Sequence, residues 1–195
     1  MNRLQQRISF YQACLFELSF LGVAAVWAYA FSEPVFTRVY WNTADFATGL
    51  AAALPLFLLL AWVMKSRLKT LTEHRNQVRA LVEPLTREWS ILQIAVLSVC
   101  AGIAEEVLFR GAIQADLAGR IGVKLALILS SIAFGAAHPI TWTYGIIATL
   151  MGAYLGGLFV CTSNLLGPIV AHAFYDFGAL LCLRHTALQS KDRGS

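Results

Sequence analysis

Charged residues are scarce in this sequence of 195 amino acids: Asp, Glu, Lys and Arg make up 13% of it, whereas hydrophobic residues make up 58%. Soluble domains carry about 25% charged residues, so this composition excludes an ordinary soluble protein. A protein of this composition is expected to have no water-exposed basic surface that could bind nucleic acid. The net charge of +4 is instead expected to reflect membrane topology and contact with anionic lipid.

The sequence also lacks the patterns typical of disulfide scaffolds and zinc sites. Its four cysteines form no Cys-x-x-Cys pair, and it contains no His-Glu-x-x-His motif. Because they lie in or beside apolar segments, the cysteines are expected to act as small buried hydrophobic side chains. We therefore expect no metal ion and no cofactor. The cysteines are Cys14, Cys100, Cys161 and Cys182.

Long apolar segments are the main feature of the sequence. A membrane-spanning helix needs about 20 mostly apolar residues, and six candidates lie near residues 13–32, 45–64, 90–116, 122–138, 142–161 and 165–183. The sequence thus predicts an all-α, multi-pass transmembrane helical bundle of about six spans. We expect two N-terminal spans in residues 1–64, a cytoplasmic or interfacial linker in 65–88, a four-span catalytic core in 89–184 and a disordered tail in 185–195.

The distribution of Lys and Arg predicts the orientation of the chain. If both termini are cytoplasmic, eleven of these residues lie on the cytoplasmic side and three on the opposite side. Cytoplasmic loops of membrane proteins carry such an excess of positive charge. We therefore predict a protein of the cell membrane with both termini in the cytoplasm. Glu17 lies near the start of the first span, where we expect its carboxylate to be at the membrane interface. The alternative is that Glu17 has a catalytic role.

Three apolar segments nevertheless contain ionisable residues. Residues 104–110 read Ala-Glu-Glu-Val-Leu-Phe-Arg, and the segments Phe134–His138 and His172–Asp176 add two histidines and an aspartate. A charge at the centre of a membrane helix costs about 2.5 to 3.5 kcal/mol, so such residues normally face the bundle interior and serve function. We expect these residues to form one reaction centre.

Helical spacing assigns different tasks to the two neighbouring glutamates. Glu106 and Arg110 are four residues apart, with the acid first, which favours a structural ion pair on one helix face. Glu105 points about 100° away and is expected to face a cavity, where it holds a water molecule. The alternative is that both acids only balance the charge of Arg110.

The two histidines are expected to face the same cavity. His138 precedes Pro139, and a residue before proline is pushed out of helical geometry, so His138 should lie at a helix end or break. Irregular backbone at membrane depth is tolerated where it lines a polar cavity. His172 and Asp176 are four residues apart on one face, where the carboxylate can fix the tautomer of the imidazole.

These segments resemble the signature of a known family. Glu105-Glu106-x-x-x-Arg110, Phe134-x-x-x-His138 and His172-x-x-x-Asp176 follow one another over about seventy residues. The ordered set is similar to that of the type II CAAX prenyl endopeptidases, also called the CPBP family of intramembrane glutamic proteases. In that family the motifs are Glu-Glu-x-x-x-Arg, Phe-x-x-x-His, and His-x-x-x followed by Asn or Asp.

The resemblance implies metal-independent hydrolysis of a peptide bond in a protein or peptide substrate at the membrane. It implies that Glu105 is the general base, that His138 is its partner, and that His172 and Asp176 face the tetrahedral oxyanion.

The eukaryotic enzymes are expected to have asparagine where this chain has Asp176. An ionised aspartate cannot donate to an oxyanion, so Asp176 is either protonated or orients His172. The aspartate form resembles bacterial members, whose substrates need not be prenylated.

Two alternatives belong to other functional classes. A glutamate and two histidines can bind zinc, which would make the protein a zinc-dependent membrane hydrolase, although each ligand would come from a separate span. Intramembrane acids and histidines also build proton relays, so a non-enzymatic proton-coupled carrier or scaffold is the second alternative. The absence of a repeat of two halves argues against a carrier.

Overall fold

A computed structural model describes residues 9–192 of the chain, and in this range it is helical, without a strand. The prediction of an all-α bundle is therefore confirmed. A 3-10 turn, Val35–Arg38, follows the first helix, and a π-helical segment, Val107–Gln114, joins the fourth helix to the fifth. The eight α-helices are α1 Phe10–Phe31, α2 Thr43–Lys65, α3 Lys69–Thr86, α4 Ile91–Glu106, α5 Ala115–Ile121, α6 Val123–Ala136, α7 Trp142–Thr162 and α8 Leu166–Asp192.

Five helical segments in the described range are long and apolar enough to cross a membrane, which confirms a multi-pass membrane protein. They are Phe10–Phe31, Thr43–Lys65, Ile91–Ile121, Trp142–Thr162 and Leu166–His185. The sixth predicted span, near 122–138, corresponds to α6, which has 14 residues. At 1.5 Å per residue it is about 21 Å long, shorter than the roughly 30 Å hydrocarbon core of a bilayer.

The helices of the core pack closely because small residues line their contacts. A Cβ atom on Gly102 of α4 would lie 2.9 Å from the Cβ of Ala173 on α8, and one on Gly152 of α7 would lie 3.1 Å from the Cα of Ser131 on α6. Small residues allow such close approach between membrane helices. These contacts bring α4, α6, α7 and α8, which carry the charged motifs, around one interior.

The two ends of the described chain lie at the same end of the bundle. The ring of Phe10, at the start of α1, packs edge-on against Trp89 with 5.8 Å between centroids. Arg184, near the end of α8, donates a hydrogen bond to the Trp89 carbonyl at 2.8 Å. The start of α1, the start of α4 and the last turns of α8 around Arg184 are thus neighbours.

Helix α3 folds back against the bundle. Its buried residues Leu71 and Val78 are seven positions apart, on one face of the helix. Arg75 donates to the carbonyls of Val63 and Ser66 at 2.6 and 2.7 Å, which satisfies groups at the end of α2. The predicted linker is thus a helix packed against α2, α7 and α8.

The end of the chain differs from the expected tail. Helix α8 continues to Asp192 through most of the range predicted as a disordered tail, 185–195. Residues 193–195 lie outside the described range, as do Arg3 and Arg7, which contributed to the predicted orientation. The cytoplasmic location of both termini stays a prediction.

We predict that reporter fusions after residue 8, within Arg67–Glu88 and after Ser195 will all report the cytoplasmic side. The physical reason is the excess of Lys and Arg expected there. A fusion between Gly122 and Val123 serves as the control and should report the opposite side. An external signal from the C-terminal fusion alone would mean that the short α6 does not complete its crossing.

Candidate functional site

Two adjacent glutamates end helix α4 and face different partners. Glu105 has 6% of its surface exposed and Glu106 has none. The Glu105 Oε2 atom lies 3.7 Å from Nε2 of His138, whereas Glu106 Oε1 lies 2.8 Å from Nη1 of Arg110. The π-helical segment begins immediately after them. Such segments are rare and occur frequently at functional sites.

The Glu106–Arg110 ion pair is buried and holds three helices together. Arg110 is 1% exposed, and its second terminal nitrogen donates to the Gly152 carbonyl of α7 at 3.1 Å. The centre of its guanidinium lies 4.3 Å from the centroid of the Phe134 ring on α6. A buried charge with an ionic partner, a carbonyl acceptor and an aromatic face is compensated on several sides.

The same Glu106 oxygen also contacts His172, which the sequence did not predict. His172 Nδ1 lies 2.8 Å from Glu106 Oε1, and His172 Nε2 lies 3.4 Å from Asp176 Oδ2. The imidazole therefore has a carboxylate at each nitrogen. Both contacts can be hydrogen bonds only when both nitrogens carry hydrogen. Asp176 keeps 29% of its side chain exposed, so it forms the outer side of this group.

His138 lies in the turn between α6 and α7, where the following proline was expected to place it. Its Nδ1 is 2.7 Å from the Phe134 carbonyl. Because a carbonyl only accepts, Nδ1 must be the donor, and in the neutral ring Nε2 is then the acceptor. That free nitrogen is the one directed toward Glu105.

Phe134 packs among the charged side chains and holds their spacing. Its ring is 4.7 Å from that of His138 and 5.9 Å from that of His172, centroid to centroid. It is 2% exposed and also lies beneath Arg110. An aromatic ring at this position thus separates the two histidines and prevents the space between them from collapsing.

A cavity of about 140 Å³ opens onto both histidines. Its wall is mostly apolar and includes side chains of α2, α7 and α8, such as Leu59, Met151 and Leu180. Helix α3 contributes His74 and Arg75. A small, mostly apolar cavity with a few convergent polar groups is typical of a ligand site.

His74 is a residue that the sequence analysis missed. Its Nδ1 lies 3.3 Å from the Thr141 hydroxyl and its ring stacks on Tyr144 at 5.7 Å. Burial, and then the neighbouring Arg75 charge, lowers the pKa of His74, so the neutral ring is favoured. Its position between Leu71 and Val78, on the buried face of α3, was the signal available in the sequence.

Glu17 was expected at the membrane interface, but α1 places it beside the site. Its carboxyl lies close enough to interact electrostatically with Glu105, His172 and Asp176. Its Oε2 atom is buried. The sequence could not show this because the contact depends on how α1 packs against α4.

Within residues 9–192 no group of three His, Cys, Asp or Glu side chains has the arrangement of a metal site. The four cysteines form no disulfide in this range.

The comparison with protein families gives one match. Residues 87–178 match the family described as type II CAAX prenyl endopeptidase Rce1-like. The matched region contains the three charged motifs and leaves α1, α2 and α3 outside it. No curated protein and no solved structure matches the chain significantly.

We predict that Glu106→Ala will strongly destabilise the protein. It leaves the Arg110 charge without its ionic partner, and removing one member of a buried pair typically costs about 3 to 5 kcal/mol. Thermal unfolding in detergent and the yield of folded protein measure this effect.

Glu73→Ala is the matched control, because Glu73 pairs with Lys69 in an exposed position and such pairs contribute at most about 1 kcal/mol. An unfolding temperature for Glu106→Ala equal to that of the control, with activity reduced, would make Glu106 a catalytic rather than a structural residue.

Proposed function

Because residues 87–178 match the family described as type II CAAX prenyl endopeptidase Rce1-like, we propose that this membrane protein hydrolyses peptide bonds with water activated by Glu105 and His138. The family supports a membrane protease of the CAAX type in general. The observation that carries the finer proposal is the approach of the buried Glu105 carboxylate to Nε2 of His138, at 3.7 Å. His138 also lines the cavity.

In the proposed first step, a water molecule hydrogen bonds to both Glu105 and His138. Their separation exceeds a direct hydrogen bond, and a water at about 2.8 Å from each atom fits it. Glu105 accepts the water proton while the oxygen attacks the scissile carbonyl. His138 accepts the second hydrogen bond of the water through Nε2, because its Nδ1 is engaged by Phe134. General-base catalysis of this kind requires such short contacts.

The developing oxyanion needs a hydrogen-bond donor, and we assign this role to His172. Glu106 holds Nδ1 of the ring at 2.8 Å, which directs Nε2 away from the Arg110 pair and toward Asp176. In the free enzyme Asp176 accepts the single Nε2–H and so orients the ring. As the oxyanion forms, this hydrogen is donated to it instead, and Asp176 continues to stabilise the positive charge of the ring. Donors fixed in advance at such a position typically contribute a factor of about 100 to 1,000 in rate.

The reaction is completed by transfer of the proton from Glu105 to the nitrogen of the leaving group. The C–N bond then breaks, and the products are a carboxylic acid and an amine. No step requires an oxidant or a reductant. Glu105 thus acts first as base and then as acid, in the manner of other water-activating proteases.

The substrate is proposed to be a protein or peptide segment at the membrane. The cavity beside the histidines has walls of aliphatic and aromatic side chains, including Val63, Ile147 and Leu183. A cavity of about 140 Å³ accommodates an apolar side chain next to the scissile bond. Burial of such a side chain contributes about 1.5 to 3 kcal/mol to binding.

We predict that Glu105→Gln and His138→Ala each reduce peptide hydrolysis by a factor of about 100 to 10,000, because a general base or its partner is lost. Hydrolysis is measured with purified protein in detergent, on a library of membrane peptides. Glu73→Gln, an exposed change from acid to amide, is the control and should retain full activity.

Full activity of Glu105→Gln would exclude Glu105 as the base. Loss of wild-type activity with a chelator, restored by zinc, would favour the zinc hydrolase. Absence of hydrolysis by the wild type, together with proton-coupled solute uptake in vesicles, would favour a carrier.

We predict that Asp176→Asn loses nearly as much activity as Asp176→Ala, on the order of 100-fold, because an amide cannot stabilise the charged form of His172. Rates are compared at saturating peptide. If the asparagine variant instead kept most of the activity, Asp176 would be a protonated donor. Full activity of both variants would remove residue 176 from the site.

A further inference from the structure

The π-helical segment, Val107–Gln114, presents one buried carbonyl to a neighbouring element. In an α-helix the N–H of Ala115 would donate to the carbonyl of Gly111, four residues earlier. Here it donates to the carbonyls of Arg110 and Ala112 and passes over the one between them. Gly111 is buried, and buried carbonyls at membrane depth require donors from the protein. The Gly111 carbonyl is thereby open to a donor from another part of the chain.

Arg38, in the 3-10 turn after α1, donates to that carbonyl. Its Nη1 lies 3.1 Å from the Gly111 oxygen, and its Nη2 lies 2.9 Å from Oε2 of Glu33. The planar guanidinium presents both donors in a fixed geometry. The ion pair with Glu33 thus holds the Arg38 side chain in the orientation that reaches the π-helical segment.

The 3-10 turn itself is fixed against the same segment. The N–H of Leu165, at the start of α8, donates to the Arg38 carbonyl at 2.9 Å. Val35 is buried, and a Cβ atom on Gly111 would lie 3.1 Å from its Cγ1 and 2.9 Å from Cδ1 of Leu165. The turn therefore packs directly on Gly111, and only a glycine at this position allows so close a contact.

Gly111 is important for the site because it directly follows Arg110. Arg110 pairs with Oε1 of Glu106, and the same oxygen contacts His172, the proposed donor to the oxyanion. If the segment relaxed to α-helical geometry, the N–H of Ala115 would take the Gly111 carbonyl, and the residues of the segment would rotate about the helix axis. Arg110 would turn with them, which would change the contact between Glu106 and His172.

We infer that Arg38 is a positioning residue that keeps the segment π-helical and thereby holds Glu106 against His172. Arg38 lies outside the region matched by the family. The inference rests on the proposed function, in which Glu105 is the base and His172 donates to the oxyanion. Because the oxyanion forms only in the transition state, a displaced donor lowers kcat and leaves KM unchanged.

Arg38→Met and Arg38→Lys test the hydrogen bond to Gly111. Methionine keeps much of the length of the side chain but has no donor, whereas lysine retains a charged donor. We expect Arg38→Met to lower kcat by about 10-fold with KM unchanged, because a hydrogen bond from a charged group is lost. We expect Arg38→Lys to keep kcat within a few-fold of the wild type.

Arg120→Met is the matched control. Arg120 also pairs with a carboxylate, that of Asp116 at 2.7 Å, but its side chain is 53% exposed. In the described part of the chain no hydrogen bond joins the Arg120 side chain to residues 107–114, so this variant should keep the wild-type kcat. Glu33→Gln is a milder test, because it removes the ionic partner of Arg38 but not the donor to Gly111. It should lower kcat less than Arg38→Met does.

Nitrogen NMR of isotope-labelled histidine tests the positioning without reference to activity. The chain has four histidines, and His172→Gln identifies the signals of residue 172. Because Oε1 of Glu106 lies 2.8 Å from Nδ1 of His172, a change in this contact alters the Nδ1 chemical shift. We expect the shift to move in Arg38→Met and to stay at its wild-type value in Arg120→Met. A variant that had only lost stability would keep both the shift and the kcat of its folded fraction.

The possible failures are distinguishable. If Glu105→Gln is inactive while Arg38→Met keeps the wild-type kcat and His172 shift, the inference is wrong and the proposed function stands. An equal loss of kcat in Arg38→Met and Arg120→Met also overturns it. Should Arg38→Met fail to fold, a wild-type kcat and His172 shift in Glu33→Gln would refute the positioning role. If Glu105→Gln is fully active, the proposed function fails, and the catalytic role of Arg38 fails with it.

Discussion

One buried oxygen atom, Oε1 of Glu106, organises the interior of the bundle. It lies 2.8 Å from a guanidinium nitrogen of Arg110 and 2.8 Å from the imidazole of His172. Through Arg110 it is connected to the Gly152 carbonyl on α7, and through His172 to α8. Since an isolated charge is costly in a bilayer, these groups stabilise one another only in one arrangement of the helices. This compensation fixes the end of α4, where Glu105 neighbours Glu106, relative to α7 and α8.

The sequence predicted the fold because composition and helix length follow directly from the bilayer. It also gave the spacing of Glu106 and Arg110, since residues four apart meet on one helix. It did not give the contact of Glu106 with His172, 66 positions away, because no periodicity relates residues on different helices. The short α6 was overestimated because the apolar run continues to His138, whereas the helix ends at Ala136, before the turn with Pro139.

The sequence left two roles open for Glu17 and did not single out His74, and both shortfalls have the same physical cause. Glu17 and His74 each acquire their surroundings from a neighbouring element. The partner of Glu17 is Glu105 on α4, and those of His74 are Thr141 and Tyr144 at the start of α7. For Glu17, the sequence pattern of an ionisable residue near the start of an apolar segment is the same whether the residue faces lipid headgroups or a second carboxyl. Only packing distinguishes the two cases.

The helices outside the family match complete the wall of the cavity and the surroundings of Glu105. Helices α2 and α3 supply a large part of the apolar wall, including Leu59, Val63 and Val78, and α1 supplies the carboxyl beside Glu105. Without these helices, the face of α8 that contacts α2 and the face of α4 that contacts α1 would be open to lipid. A charge-compensated interior needs walls that keep it apart from the hydrocarbon. The N-terminal helices are therefore part of the environment that surrounds Glu105 at this depth.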